Sequence, residues 1–289
     1  MLKFGVDTFI WSENFSEKDL HLIEKSKQLG FDVIETFISN PDTYPVDKVK
    51  KEVQKVGIEV VTATVLGNDT NFLSPDPKIR QNGIEYLKKV IDINNKIGSE
   101  IIGGVNYASW GYLTHKCRTE DEWKWSVESM RQAATYAKET GRANICVEPV
   151  NRFETHFLNI AEDAVRYCKD VGLDNMKIHL DSFHMIREEL SFTEAVNQCG
   201  EQYLGYVHVC ENNRGIPGTG LVPWKEFFTA IINVGYTGPL VIESFDPSFE
   251  ELTAMCAIWR SFADSGEELA IQGLKNLKSI EKQMQINKN

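Results

Sequence analysis

The chain reads as a (β/α)8 barrel, and three observations predict it. Eight short apolar, β-branched runs recur along the 289 residues, amphipathic stretches alternate with them, and no Gly/Ser/Pro-rich linker, internal repeat or low-complexity segment divides the series. Eight units over that length take about 36 residues each, close to the ~30 or more that a strand–helix–strand step requires. Strict alternation implies a parallel sheet with helices outside it, either open and doubly wound or closed. The count of eight favours closure, and no Gly-x-Gly-x-x-Gly follows the first strand.

Taken in order, the expected strands are Lys3–Asp7, Phe31–Thr36, Glu59–Val65, Glu100–Val105, Asn144–Val150, Met176–Asp181, Leu204–Cys210 and Pro239–Ser244. Between them the 3.6-residue pattern predicts helices over Ser16–Leu29, Pro45–Val56, Pro77–Ile97, Thr119–Glu139, Ile160–Val171, Ser191–Cys199 and Pro223–Val234. Start signals are hydroxyls ahead of acidic first turns, as in Ser16-Glu-Lys-Asp19 and Thr119-Glu-Asp-Glu122. Stop signals are the glycines at 30, 57, 141, 172 and 235. One domain is expected over residues 1–289, with an extra C-terminal helix over 265–285 as a cover or a subunit contact.

Composition narrows the function. With 42% hydrophobic and 25% charged residues the chain is an ordinary globular one, and its net charge of −11 opposes nucleic acid and anionic membrane surfaces. The N-terminus enters a strand at once without the three regions of a signal peptide, and no apolar run is long enough to span a bilayer. A cytoplasmic protein is expected, without membrane or nucleic-acid partners. Six widely spaced cysteines with no Cys-x-x-Cys pair read as buried thiols.

A barrel of this kind carries its active site where the strands end. Four successive expected strands present Glu148, Asp181, His208 and Glu243 near those ends, 33, 27 and 35 residues apart, so one strand–helix repeat separates each from the next. Alternation along a strand turns each toward the barrel interior. Three carboxylates crowded together repel unless a cation sits among them, and three oxygen donors with one imidazole suit Mn2+, Mg2+ or Co2+, with Zn2+ also compatible. Glu154, His184 and Arg214 follow three of these residues at short range, in loops above the site, as candidates for binding hydroxyls or moving protons. Trp110 and Phe245 are placed to stack on a sugar face. His179 shares the parity of Asp181 and reads as a deeper support, while Glu250-Glu251 reads as solvated surface.

These residues, with Asp181-Ser-Phe-His184, His208-Val-Cys-Glu-Asn-Asn-Arg214, Pro217-Gly-Thr-Gly220, Leu73-Ser-Pro-Asp76, Gly103-Gly104 and Asn151-Arg-Phe-Glu154, make the chain resemble the D-tagatose/D-psicose (D-allulose) 3-epimerases of the xylose-isomerase-like TIM barrels. The resemblance covers essentially the whole chain. It implies a Mn2+ or Co2+ ion held by Glu148, Asp181, His208 and Glu243. It also implies a free ketose whose O1–O3 end meets Glu154, His184 and Arg214, in a homodimer or homotetramer. The ketose C3 proton lies beside the C2 carbonyl, and a cation at O2 and O3 would stabilise the enediolate left when it departs. Glu148 and Glu243 are the expected acid/base pair that removes a proton from one face and returns one to the other.

The first strand departs from the family pattern. Asp7 and Phe15 stand where family members carry an aromatic and a Trp, and the resemblance puts both positions on the sugar pocket. Alternatives are an aldose–ketose or hydroxypyruvate-type isomerase on the same barrel, an abasic-site endonuclease-like repair enzyme, which the charge opposes, and a non-catalytic sugar-binding module.

Overall fold

A computed structural model describes residues 2–286; positions 1 and 287–289 of the expected domain lie outside it. Eight parallel strands close into a barrel in sequence order: β1 (Lys3–Asp7), β2 (Val33–Phe37), β3 (Glu59–Ala63), β4 (Ile101–Gly103), β5 (Asn144–Val147), β6 (Met176–Asp181), β7 (Leu204–His208) and β8 (Pro239–Ile242). The seam is made by β8 against β1, with Gly5 opposite Val241. Around this ring lie α1 (His21–Gln28), α2 (Val46–Val56), α3 (Pro77–Ile97), α4 (Glu120–Thr140), α5 (Ala161–Val171), α6 (Ser182–Glu188), α7 (Phe192–Tyr203), α8 (Trp224–Asn233), α9 (Glu250–Cys256) and α10 (Gly266–Ile286). No described helix is long and apolar enough to cross a membrane.

Local chemistry explains several boundaries. Thr119 and Glu122 form a reciprocal cap on α4: the Glu122 amide donates to Thr119 Oγ1 at 3.2 Å, and the Thr119 amide donates to Glu122 Oε2 at 2.7 Å. Asp76 caps α3 ahead of Pro77, and α2 ends at Gly57 in the left-handed region, φ 67°. Strands β3, β4, β7 and β8 stop two residues, and β5 three residues, before their expected ends, because the chain leaves the ladder as it enters the polar loops. Glu148 and Glu243 therefore sit one residue beyond β5 and β8 rather than inside them.

Two helices, α6 and α9, occupy stretches expected to be loops. Helix α6 starts without a break from β6 because Asp181, the last strand residue, caps it, its Oδ1 accepting from the Phe183 amide at 2.8 Å. Helix α9 carries an acidic first turn, Glu250 and Glu251, and packs Leu252 inward. Helix α7 runs to Tyr203 through a kink at Gly200, past its expected end at Cys199. The thiols at 146, 168, 199 and 210 are buried as expected, but Cys117 is exposed and Cys256 only partly covered.

The barrel interior is layered. Val33, Val61, Cys146, Tyr206 and Val241 form a closed apolar plug inside the ring. Two residues further along four of these strands come Glu35, Glu148, His208 and Glu243. Side chains two apart on a strand share a face, so the plug residues act as the floor on which the polar layer stands.

Candidate active site

Asp181 and His208 lie opposite each other in the β6–β7 register, and Glu148 and Glu243 flank them from β5 and β8. His208 Nδ1 is 3.3 Å from Glu243 Oε2 and 4.0 Å from Asp181 Oδ2. Donor atoms of Asp181, His208, Cys210 and Glu243 all fall within 4.8 Å of one another, as do those of Glu148, Asp181 and His184. The four strand-end residues expected to converge are thus brought together.

His208 is oriented from behind. Its Nε2 lies 2.9 Å from Glu35 Oε2, which also accepts from the Tyr206 hydroxyl. With Nε2 directed at Glu35, Nδ1 faces the carboxylates, and this buried atom has no hydrogen-bond partner among the described residues. Burial alone would lower the ring's pKa, but Glu35 and Glu243 outweigh it and hold it well above the ordinary histidine value. A buried imidazole nitrogen ringed by carboxylate oxygens, where a positive charge is favoured, fits a divalent cation in the proton's place. Glu35 was not singled out from the sequence, although it too is an acid near a strand end.

His179 differs. Its Nδ1 accepts from the Gly104 amide at 3.3 Å and stays 3.6 Å from Glu148 Oε2, so its lone pair is already used. Burial keeps the ring neutral, holding its pKa well below the ordinary histidine value. Gly104 is required here: its φ is 95°, and a Cβ would lie 2.3 Å from the Thr64 carbonyl oxygen.

The carboxylates are not equivalent. Burial, reinforced by Glu243, pushes the Glu148 carboxyl well above the usual range. Burial alone would raise Glu243 as well, but the Arg214 guanidinium and His208 outweigh it and hold its carboxyl low. Arg214, in the loop after β7 at φ 61°, donates through Nη1 to Asp181 Oδ2 at 2.7 Å and to Glu243 Oε2. Its guanidinium lies over the Phe183 ring, 4.1 Å from the centroid.

His184 belongs to α6 rather than a loop. Its Nδ1 accepts from the Asn151 amide at 3.1 Å, and its Nε2 lies 3.4 Å from Arg214 Nη2 and 3.6 Å from Glu148 Oε1. Glu154 is clamped by Trp110 Nε1 at 2.8 Å and Asn151 Nδ2 at 2.7 Å. Glu35, Trp110, Glu148, Glu154, His184, His208, Arg214 and Glu243 line one cavity of about 430 Å³, whereas Asp181, His179 and Tyr206 are not on its lining. Phe9, Phe37 and Phe245 form an apolar wall, and Glu13 and Glu251 stand on the lining too. Glu251 is therefore more than solvated surface.

Two expected pocket residues are placed elsewhere. Asp7 is wholly buried, its carboxylate accepting from the Phe9 amide, and Phe9 lines the cavity in its stead. Phe15 turns into the core against Tyr44, with ring centroids 5.9 Å apart. A buried acid that caps the following turn faces inward, away from the mouth.

Comparison with known proteins agrees with this geometry. Residues 23–280 match the model of the xylose isomerase-like TIM barrel family. A D-psicose 3-epimerase of Ruminiclostridium cellulolyticum is 32% identical over 92% of each chain. An L-ribulose 3-epimerase of Mesorhizobium japonicum is 31% identical over 90% of this chain and 88% of its own. The crystal structure of a D-allulose 3-epimerase from Methylomonas sp. in complex with D-allulose superposes with a TM-score of 0.91, at 30% identity over 96% of both chains. With its closed eight-stranded ring, its strand-end cluster and these relatives, the chain belongs to the xylose isomerase-like TIM barrel family and, within it, to the ketose 3-epimerases.

Proposed function

We propose that the protein inverts C3 of a free ketohexose or ketopentose of the psicose/fructose, tagatose and ribulose class. The observation that carries this is the placement of Glu148 and Glu243 at the ends of β5 and β8, on either side of Asp181 and His208 and both on the lining of one cavity. Two carboxyls that face one cavity from separate strands are placed to act as acid and base toward one carbon. Glu148, Asp181, His208 and Glu243 hold a divalent cation, Mn2+ first, with Co2+ or Mg2+ as substitutes. When bound, that cation would supply positive charge that favours loss of the C3 proton.

Glu243 takes the proton from C3 and Glu148 returns one to the opposite face, each from its own side of the cavity; the reverse reaction exchanges their roles. Glu154, His184 and Arg214 fix the O1–O3 end through the donors and acceptors that face the cavity. Trp110 and Phe245 cover the sugar's apolar faces. Glu13, Glu154 and Glu251 on the lining disfavour a phosphorylated sugar and support a free one. The protein works in the cytoplasm as a homodimer or homotetramer.

The test is proton exchange. Manganese-loaded protein is incubated in D2O with D-psicose, D-tagatose, D-fructose and L-ribulose and followed by NMR. Deuterium at C3 together with the 3-epimer is expected, reduced about 10²–10⁴-fold in Glu148→Gln and Glu243→Gln. Deuterium at C1 instead would assign an aldose–ketose isomerase.

A further inference from the structure

Glu211 lies off the lining of the cavity, and the epimerisation reading does not use it. Its side chain is fully buried at the head of the loop that joins β7 to α8, three residues before Arg214. Oε1 accepts from the amides of Asn212 at 3.0 Å and Val222 at 3.1 Å, and Oε2 from the Gly218 amide at 2.9 Å and Trp224 Nε1 at 3.1 Å. A carboxylate has about four acceptor sites, so this one is filled, and its donors come from both ends and the middle of the loop.

The loop is built around that clasp. Gly218 stands at φ 89°, and a Cβ on Gly220 would lie 2.6 Å from Glu211 Oε1 and 2.3 Å from Asn212 Oδ1. Asn212 Oδ1 in turn accepts from the Leu221 amide at 2.9 Å. Arg214 lies inside the clasped stretch at φ 61°, a backbone conformation that costs energy for any residue but glycine. Its amide donates to the Glu211 carbonyl at 2.9 Å, and its carbonyl accepts from Ser244 Oγ at 2.5 Å. The strained backbone is therefore held at both of its own polar groups and by the loop around it. From there the guanidinium reaches back to Asp181, Cys210 and Glu243.

We propose that Glu211 is a positioning residue for Arg214: by gathering the loop's own N–H groups onto one carboxylate it holds the backbone that aims the guanidinium between Asp181 and Glu243. It acts through the loop and does not face the cavity. Its effect on turnover rests on the reading of Arg214 as the residue that fixes the O1–O3 end, whereas its effect on the guanidinium does not.

The test is nuclear magnetic resonance of the full chain carrying nitrogen-labelled arginine, metal-free so that no paramagnetic ion broadens the spectrum. Arg214→Lys identifies the Arg214 guanidinium signals by their loss. Separate, slowly exchanging N–H signals are expected in the parent, because Nη1 is held by two carboxylates. Averaged signals are expected in Glu211→Gln, whose amide has fewer acceptor sites and turns an NH2 group toward two of the loop's donors. Trp224→Phe removes one donor, leaves the carboxylate, and should loosen Arg214 in the same direction by less. For the ketose that the parent turns over fastest, kcat/KM should fall about 10–100-fold in Glu211→Gln. In an Arg214→Met background the same change should cost less than about threefold, since the group it positions is gone.

Averaged Arg214 signals in the parent, or parent-like signals in a folded Glu211→Gln, would overturn the proposal. Should Glu211→Gln not fold, parent-like signals in Trp224→Phe would do the same. So would an equal loss of kcat/KM with and without Arg214, or faster amide exchange at Gly218 and Val222 with Arg214 unmoved, either of which marks a support of the fold alone. The expected guanidinium pattern with no turnover of any ketose would uphold the proposal and refute the epimerase reading.

Discussion

Glu35 Oε2 and His208 Nε2 stand 2.9 Å apart, and this one contact decides which face of the imidazole is offered to the carboxylates. Removing the acceptor frees the ring to turn and to change tautomer. Glu35→Ala should weaken Mn2+ binding by about 10–100-fold, and Glu35→Gln by less, because the amide oxygen still accepts from Nε2. Isothermal titration with Mn2+ checks both, and equal affinity in all three proteins would contradict the geometry.

Metal removal should destabilise the fold as well as silence it. Buried carboxyls held above their usual range, Glu148 and Asp7 among them, favour unfolding at neutral pH until a cation compensates. Adding Mn2+ at about 100 times its dissociation constant stabilises the native state by about 2.7 kcal/mol. For a chain of this size that corresponds to a rise of roughly 5 °C or more in Tm over the chelated protein, measured by scanning calorimetry.

Acid should weaken the metal-free protein through His184. Burial holds this imidazole at about 4, although Asp181 pulls the other way, against an ordinary value of 6.5. The unfolded chain therefore takes up a proton before the folded one does, and stability falls as pH drops from 6.5 to 4. The full effect is about 3 kcal/mol. Compared at pH 7.5 and pH 4 by urea unfolding, the parent should lose ground to His184→Asn by that order. An unchanged difference would mean that His184 is not held neutral.

Trp110 acts through Glu154. Its indole N–H, 2.8 Å from Glu154 Oε2, is one of two donors that fix this carboxylate at the cavity wall. Hydrogen bonds to a charged group contribute about 1.5–3 kcal/mol, so Trp110→Phe should raise KM for the ketose by roughly tenfold or more while kcat changes less. Steady-state kinetics separates the two, and a fall confined to kcat would place Trp110 in the chemical step instead.

Much of this was legible in the sequence. The eight strands were readable because each is a short β-branched run in a fixed alternation, and one repeat between Glu148, Asp181, His208 and Glu243 showed that they meet. Glu35 escaped because attention to consecutive strands passed over β2, although Val33-Ile-Glu35 has the same form as Val241-Ile-Glu243. Asp7 was legible as unusual but not as buried: its role as a cap is a tertiary fact. Helix α6 was missed since its cap is itself a site residue, so the usual loop between strand and helix is missing. Asp181 is a cap through one oxygen and a site acceptor through the other, two readings that sequence reasoning treats as rivals.

The seam between β8 and β1 gives the order in which the centre can come into being. A chain emerging from the ribosome presents Glu148, Asp181 and His208 well before residue 243 is synthesised, and Asp7 and Glu35 before any of them. Only when β8 docks between β7 and β1 does Glu243 reach the others, and the same docking seals the ring. Completion of the cluster is thereby tied to closure of the ring, and a chain clipped before residue 243 lacks one of its four members.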